Sequence, residues 1–198
     1  NWYFKKYELC EKDPEKFWSE IADSFVWKKK WDKVLESDFE NADFKWFKNA
    51  QLNITENIFE RNLPERGDKT AIIWEPNDPK ESPIYLTYKE LYKQTCTFSN
   101  VLRSKGINKG DRVIIYMPMV PESAIAMLAC ARVGAVHSVV FAGFSAASLA
   151  DRINDCEAKL VLTSDGNFRG NKTIPVKDVV DEALEKCSSI ESVIVLER

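Results

Sequence analysis

Between positions 111 and 165, short apolar runs rich in β-branched residues alternate with segments whose apolar side chains recur at helical spacing. The runs Arg112–Tyr116, 136–140 and 160–162 are too short for helices and are bounded by turn residues, which predicts buried strands. Between them, 121–132 places Ile125, Leu128 and Ala129 on one side, and 145–156 does the same with Leu149, Ile153 and Cys156. Both spacings predict helices. Strand and helix in alternation predict a parallel sheet with right-handed crossovers. Ligands of such sheets dock outside the carboxyl ends of the strands. The loops after Val140 and after Leu162 are therefore the first places to look for function.

The same reading extends outward. Asp13-Pro14-Glu15 predicts a helix start with Asp13 as cap, Pro14 at the first helical position and an acid in the first turn. Phe17, Trp18, Ile21 and Phe25 then form its apolar face. A short helix is expected over 53–62, with Asn53 and Glu56 as a capping box and Ile54 and Ile58 facing the core. Thr70–Trp74 and Ile84–Thr87 flank a proline-rich polar loop and predict a hairpin. Thr87 and Glu90 predict a second capping box, opening a helix that buries Leu91, Phe98, Val101 and Leu102 and stops at Gly106. After 160–162 comes a polar loop, Asp165 to Lys172, with two glycines and two cations. A helix over 176–187 and a strand over Ser192–Leu196 complete the pattern.

Composition narrows the class. With 44% hydrophobic and 30% charged residues the chain reads as an ordinary globular protein, and a net charge of −3 gives no bulk attraction to nucleic acid or anionic membrane. No apolar run reaches membrane-spanning length and no secretion signal is evident. The five cysteines lack metal-like spacing and read as buried reduced thiols, which favours the cytoplasm. The chain starts at Asn1 and stops just after a strand-like run, so a fragment of a longer protein is expected. The first fifty residues hold five of the six tryptophans. Trp27-Lys28-Lys29-Lys30-Trp31 invites a nucleic-acid reading by stacking between cations. Charge argues against it, since the first fifty residues carry 10 Lys/Arg against 11 Asp/Glu. An aromatic-rich arm packed on a neighbouring domain is preferred.

Most active-site constellations are missing. The sequence has no GxxxxGK loop, no GxGxxG and no GxSxG, and its single histidine, His137, sits in an apolar run where a hydrogen-bonded core role is expected. Asp151 and Asp155 read as a solvated helix face. The constellation that remains is Arg169 with Lys172. Arginine offers a planar fork for phosphate, lysine a flexible point charge, and glycines allow backbone N–H groups close to an anion. On residues alone, a solvated basic loop and an anion site stand equal. Phe141-Ala142-Gly143, ending the preceding strand, reads either as an aromatic wall with close backbone approach or as core packing.

These residues carry a family likeness. LTYKELY, then GDRVIIYMPMVPESAIAMLACARVGAVHSVVFAGFS, then ADRI and AKLVLTSDGNFRGNKTIPVKDVVDEAL resemble the AMP-forming acetyl-CoA synthetases among the adenylate-forming ligases. The aromatic start and WFKNAQLNITENIFERNL resemble that group's own N-terminal extension. The resemblance implies an α/β fold: an incomplete, mostly parallel sheet with flanking helices, preceded by an aromatic-rich helical arm. It implies an extension over 1–63 and the first, truncated part of the large ligase domain over 64–198. It implies acetate, ATP and CoA as substrates and an acetyl-adenylate intermediate, with Mg2+ bound outside this chain. Arg169, Gly170, Asn171 and Lys172 match the family's Arg-Gly-Gly-(Lys/Arg) contact with the phosphorylated ADP end of CoA, and Asn171 stands where glycine is common. Phe141, Ala142 and Gly143 match the stretch along the CoA adenine. No catalytic or metal-ligating residue is implied here, and the remainder of the same polypeptide is the expected partner. The alternatives are a sibling propionate or acetoacetate ligase, and a non-catalytic nucleotide-binding or scaffold domain.

Overall fold

The computed structural model describes residues 1–170 and 172–198, in two units, Asn1–Arg61 and Asn62–Arg198. The first unit runs α1 (Trp2–Lys12), α2 (Pro14–Ala22), β1 (Lys33–Asp38), β2 (Asp43–Lys48) and α3 (Ile54–Ile58). Asp13 caps α2 as expected, its carboxylate accepting from the Lys16 N–H at 3.0 Å. The expected apolar face is only partly covered: Trp18, Ile21 and Phe25 are each 39% exposed, and Ala22 is the buried residue of that helix. The strands β1 and β2 form an antiparallel hairpin in continuous register from Lys33↔Lys48 to Asp38↔Asp43, within what the sequence suggested was a helical arm. Its reversal is held by Asp38, whose carboxylate accepts from the Glu40 and Asn41 N–H groups at 3.0 and 3.1 Å.

Two local expectations fail in this unit. In α3 the buried residues are Thr55 and Asn57, while Ile54 is 46% exposed. The reason is polar pairing. The Asn57 amide accepts from the Val26 N–H at 2.7 Å and donates to the Val26 carbonyl at 3.0 Å, so burying it satisfies a backbone pair. Asn53 caps the helix through the Thr55 N–H at 3.0 Å, but Glu56 does not reach back in a capping box; its carboxylate pairs with Lys28 at 2.8 Å.

The second unit runs α4 (Leu63–Arg66), β3 (Thr70–Trp74), β4 (Ile84–Thr87), α5 (Tyr88–Ser104), β5 (Arg112–Tyr116) and α6 (Pro121–Val133). It continues with β6 (Val136–Val139), α7 (Ala146–Cys156), β7 (Leu160–Ser164), β8 (Asn167–Arg169), β9 (Lys172–Ile174), α8 (Val176–Leu184) and β10 (Ser192–Leu196). Four strands form a sheet in the order β10-β7-β5-β6, all parallel. Helix α5 opens on the full capping box of Thr87 and Glu90.

The sheet is buried on both faces. Val113, Ile115, Leu160 and Leu162 pack with Leu102, Ala126, Ala129 and Cys130 of α5 and α6. Ile114, Tyr116 and Val161 pack on the other side with Leu149, Ile153, Val180 and Ala183 of α7 and α8. Successive side chains thus alternate between two apolar layers, which is why the strands read as continuous apolar runs. No helix of the described residues is long and apolar enough to cross a membrane. All five cysteines are free thiols, and burial pushes Cys130 up to about 12.

Candidate functional site

Because every strand of the main sheet runs the same way, the segments after β5, β6 and β7 emerge at one carboxyl edge. The connection from β5 leads to β6 on one side, and the chain then returns to place β7 on the other, so the order reverses at β5. A reversal of this kind opens a crevice outside the strand ends. The segments singled out in the sequence follow the two strands on either side of β5.

Beyond β7, the segment read as a polar loop is an antiparallel hairpin. Asn167 pairs with Ile174, Phe168 with Thr173, and Arg169 with Lys172. The correction has a simple cause. Gly170 adopts φ +58, a left-handed setting that lets the chain reverse between the two short strands. Asn171 lies outside the described residues. The hairpin sets Arg169 and Lys172 directly opposite each other, on the same face by strand alternation, and both are exposed.

Its base is tied to the sheet. The Asp165 N–H donates to the Leu196 carbonyl at 3.0 Å. The Asp165 carboxylate accepts from the Gly166 N–H at 2.7 Å and from the Arg198 N–H at 3.2 Å. The Ser164 hydroxyl donates to the Gly166 carbonyl at 2.8 Å. The Arg198 guanidinium lies 5.0 Å from the Phe168 ring centroid and donates to Asn167 at 3.4 Å, which adds a cation beside the hairpin. Its tip is held from elsewhere: the Asn77 amide, in the segment between β3 and β4, donates to the Gly170 carbonyl at 3.1 Å. Neither Asn77 nor Arg198 was flagged by the sequence. Asn77 is 93 positions from Gly170 and no local pattern connects them.

Beyond β6, Phe141 is 69% exposed, so the core-packing alternative does not hold, while Ala142 is buried in the layer of α7 and α8. The Phe144 N–H closes a turn on the Phe141 carbonyl at 3.0 Å, and the Tyr116 hydroxyl, at the end of β5, donates to the Phe144 carbonyl at 2.7 Å. Burial pushes the Tyr116 phenol up, which keeps it a donor. A Cβ on Gly143 would stand 2.5 Å from the Phe141 ring, so glycine is what lets the ring lie across the turn. The two candidate segments sit on either side of β5, two strand spacings or about 10 Å apart. His137, on β6, is half-buried, and burial moves its imidazole down from the ordinary 6.5.

The Trp27–Trp31 stretch is differently engaged. The two indoles lie 5.2 Å apart edge to face and both contact Phe47, while Lys28, Lys29 and Lys30 pair with Glu56, Asp32 and Asp23. An apolar cavity of about 550 Å³ lies between Phe98, Ile125 and the β7–β10 side of the sheet.

Comparison with known families decides the assignment. The family described as AMP-binding enzyme matches residues 59–198, and the one described as acetyl-coenzyme A synthetase N-terminus matches residues 3–58. The chain belongs to the AMP-binding enzyme family. Within it, the acetyl-coenzyme A synthetase of Syntrophobacter fumaroxidans is 54% identical over 195 residues, covering 98% of this chain and 30% of that protein. That of Novosphingobium aromaticivorans is 48% identical over 198 residues, covering 99% and 30%. A solved structure, acetoacetyl-CoA synthetase from Streptomyces lividans, superposes with a TM-score of 0.87 at 28% identity over 95% of this chain and 29% of its own. The chain thus spans about 30% of the length of its curated relatives. In this AMP-binding enzyme chain the parallel sheet, the flanking helices and the order of elements agree with the α/β expectation.

Proposed function

We propose that these residues are the opening part of an ATP-dependent acetate–CoA ligase, with 1–63 as its extension and 64–198 as the first part of its α/β domain. In that reaction an acetate oxygen attacks the α-phosphorus of ATP and pyrophosphate leaves, giving acetyl-adenylate. The CoA sulfur then attacks the acetyl carbonyl carbon, its proton is lost, and AMP leaves. The observation that carries this reading is the pair of family matches, adjoining in sequence, the first of them described as acetyl-coenzyme A synthetase N-terminus.

In this reading Arg169, Gly170, Asn171 and Lys172 bind the phosphorylated ADP end of CoA, and Phe141, Ala142 and Gly143 line its adenine. What supports it is two exposed cations in register at the carboxyl edge of a parallel sheet, and an exposed ring across a glycine turn nearby. Magnesium is implied for the whole reaction, but among the described residues no group of three or more His, Cys, Asp or Glu is arranged to hold it. The reading places the enzyme in the cytoplasm.

The test uses the full-length polypeptide that carries these residues. Replacing Arg169 and Lys172 together by Ala is expected to raise the KM for CoA at least about tenfold, the loss of charge-assisted contacts to phosphate. Acetate-dependent pyrophosphate exchange, which needs no CoA, should stay near wild type. Equal damage to both steps would make the hairpin structural. The chain of 198 residues alone is expected to form no AMP from acetate, ATP and CoA, because it contains no phosphate-loop sequence. A second reading, acetoacetate as the acyl substrate, is favoured by the solved structural relative. A higher kcat/KM for acetoacetate than for acetate would establish it.

A further inference from the structure

We propose that Asn77 is a positioning residue for the cationic hairpin: its amide fixes the tip so that Arg169 and Lys172 meet a phosphate-bearing ligand already aligned. The inference rests on the CoA reading of that hairpin. Its basis is the hydrogen bond of 3.1 Å from the Asn77 amide nitrogen to the Gly170 carbonyl. Strands of three residues each, β8 and β9, make a hairpin too short to hold its own shape in water. The base is tethered through Asp165 and Arg198, yet both cations stand at the opposite end, beside the turn. Asn77 is the clamp at that end.

The segment that carries Asn77 is itself fixed. Pro76, the residue before it, is buried with a locked φ. Asp78, the residue after it, folds the chain back by accepting from the Lys80 N–H at 2.9 Å, with the Glu81 N–H on its carbonyl at 3.0 Å. The amide therefore arrives at Gly170 from an anchored point. An uncharged donor suits the task, because it engages a carbonyl without competing with an anion for the cations. Without the clamp, ordering the tip becomes a cost of ligand binding.

The measurement is steady-state kinetics with CoA, alongside acetate-dependent pyrophosphate exchange, in the full-length polypeptide. Asn77→Ala is expected to raise the KM for CoA roughly three- to tenfold, the worth of one hydrogen bond, with kcat and exchange unchanged. Asn77→Asp, equal in size but without the N–H donor and carrying a negative charge, should raise it further. Asn77→Gln, which keeps the donor, should fall closer to wild type than Ala. In an Arg169→Ala, Lys172→Ala background, adding Asn77→Ala should change the KM by less than about 1.5-fold, since a positioning residue has nothing left to position. If Arg169→Ala with Lys172→Ala raises the KM and the Asn77 variants do not, the role given to Asn77 is overturned while the site stands. An Asn77 effect that persists in the double background, or that lowers exchange equally, also overturns it. If the cation variants leave the KM untouched, the CoA reading itself falls.

Discussion

The two units reach order by different means. In Asn62–Arg198 the interior is aliphatic and layered, with Ile114, Leu149, Ile153, Leu160 and Leu162 at most 2% exposed. In Asn1–Arg61 the buried apolar side chains among the described residues are Ala22, Val34 and Phe59. Its large rings instead touch one another: Trp18 with Trp46 at 5.9 Å, Trp27 with Trp31 at 5.2 Å, and Phe47 with Trp31 at 5.1 Å. Phe47 holds this cluster with φ +47, a strained setting for a bulky residue, on the order of 1–2 kcal/mol. A sheet packed on both faces excludes water by volume. A ring cluster excludes it only at shared edges, and its members keep much of their surface wet.

The contrast is sharpest in what a truncation costs. Leu149→Ala, in the layer beneath α7, is expected to lose about 2–5 kcal/mol, because it leaves a cavity that packed neighbours fill poorly. Trp31→Ala removes a larger side chain but one only half-buried, and is expected to cost about 1–2 kcal/mol. Urea denaturation can report both, since five of the six tryptophans lie in the first unit and dominate fluorescence, while circular dichroism follows the helices. Equal costs would erase the distinction between layered and ring-built cores. A smaller effect probes the second unit at its surface. Thr87→Ala removes the side-chain half of the capping box at α5, leaving the residue-87 N–H on the Glu90 carboxylate, and should lose about 1 kcal/mol.

The smallest expected effect is a pH dependence set by His137 in the second unit. His137, paired in register with Val113 on the edge strand β6, has its imidazole held below the ordinary value by burial. The unfolded chain therefore takes up a proton near pH 6.5 that the folded chain refuses until lower pH. Its stabilising contribution is complete above about pH 6.5 and declines as the pH falls toward the folded value. His137→Gln should flatten the stability profile just below that point, and an unchanged profile would show that the imidazole is not desolvated. Asp111 acts in a lower window. Lys159 at 2.9 Å and the Asn108 N–H hold its carboxyl below the usual range, so that contribution is lost as the pH falls below about 3.8.

The same contrast explains what could be read in advance. Strands β5, β7 and β10 were legible because layered burial demands uninterrupted apolar runs, and helices α6 and α7 because their apolar residues repeat at 3.6-residue spacing. The hairpin of β1 and β2 was hidden by its aromatic content, which resembled the helical arm around it; the alternation of Phe44, Lys45 and Trp46 was the available signal. Helix α1 buries no residue, so no apolar stripe could announce it. Asn57 was missed because its pairing with the Val26 backbone is a long-range contact that no periodicity encodes. At the candidate site, the cations were legible as residue types. Their direct opposition was not, because it depends on the strand pairing across Gly170 in a segment that was read as a loop. The clamp from Asn77 is a long-range hydrogen bond, invisible without the fold.

That opposition of Arg169 and Lys172 has an energetic consequence of its own. Like charges placed face to face on neighbouring strands repel, so the unliganded hairpin is weakened by the very residues it displays. An anion that bridges them removes the repulsion and gains two attractions at once. By reciprocity, whatever the closed hairpin adds to the grip on that anion, the anion adds to the closing of the hairpin. The tip is in this sense least firmly shut at low ionic strength, where the two charges are screened least.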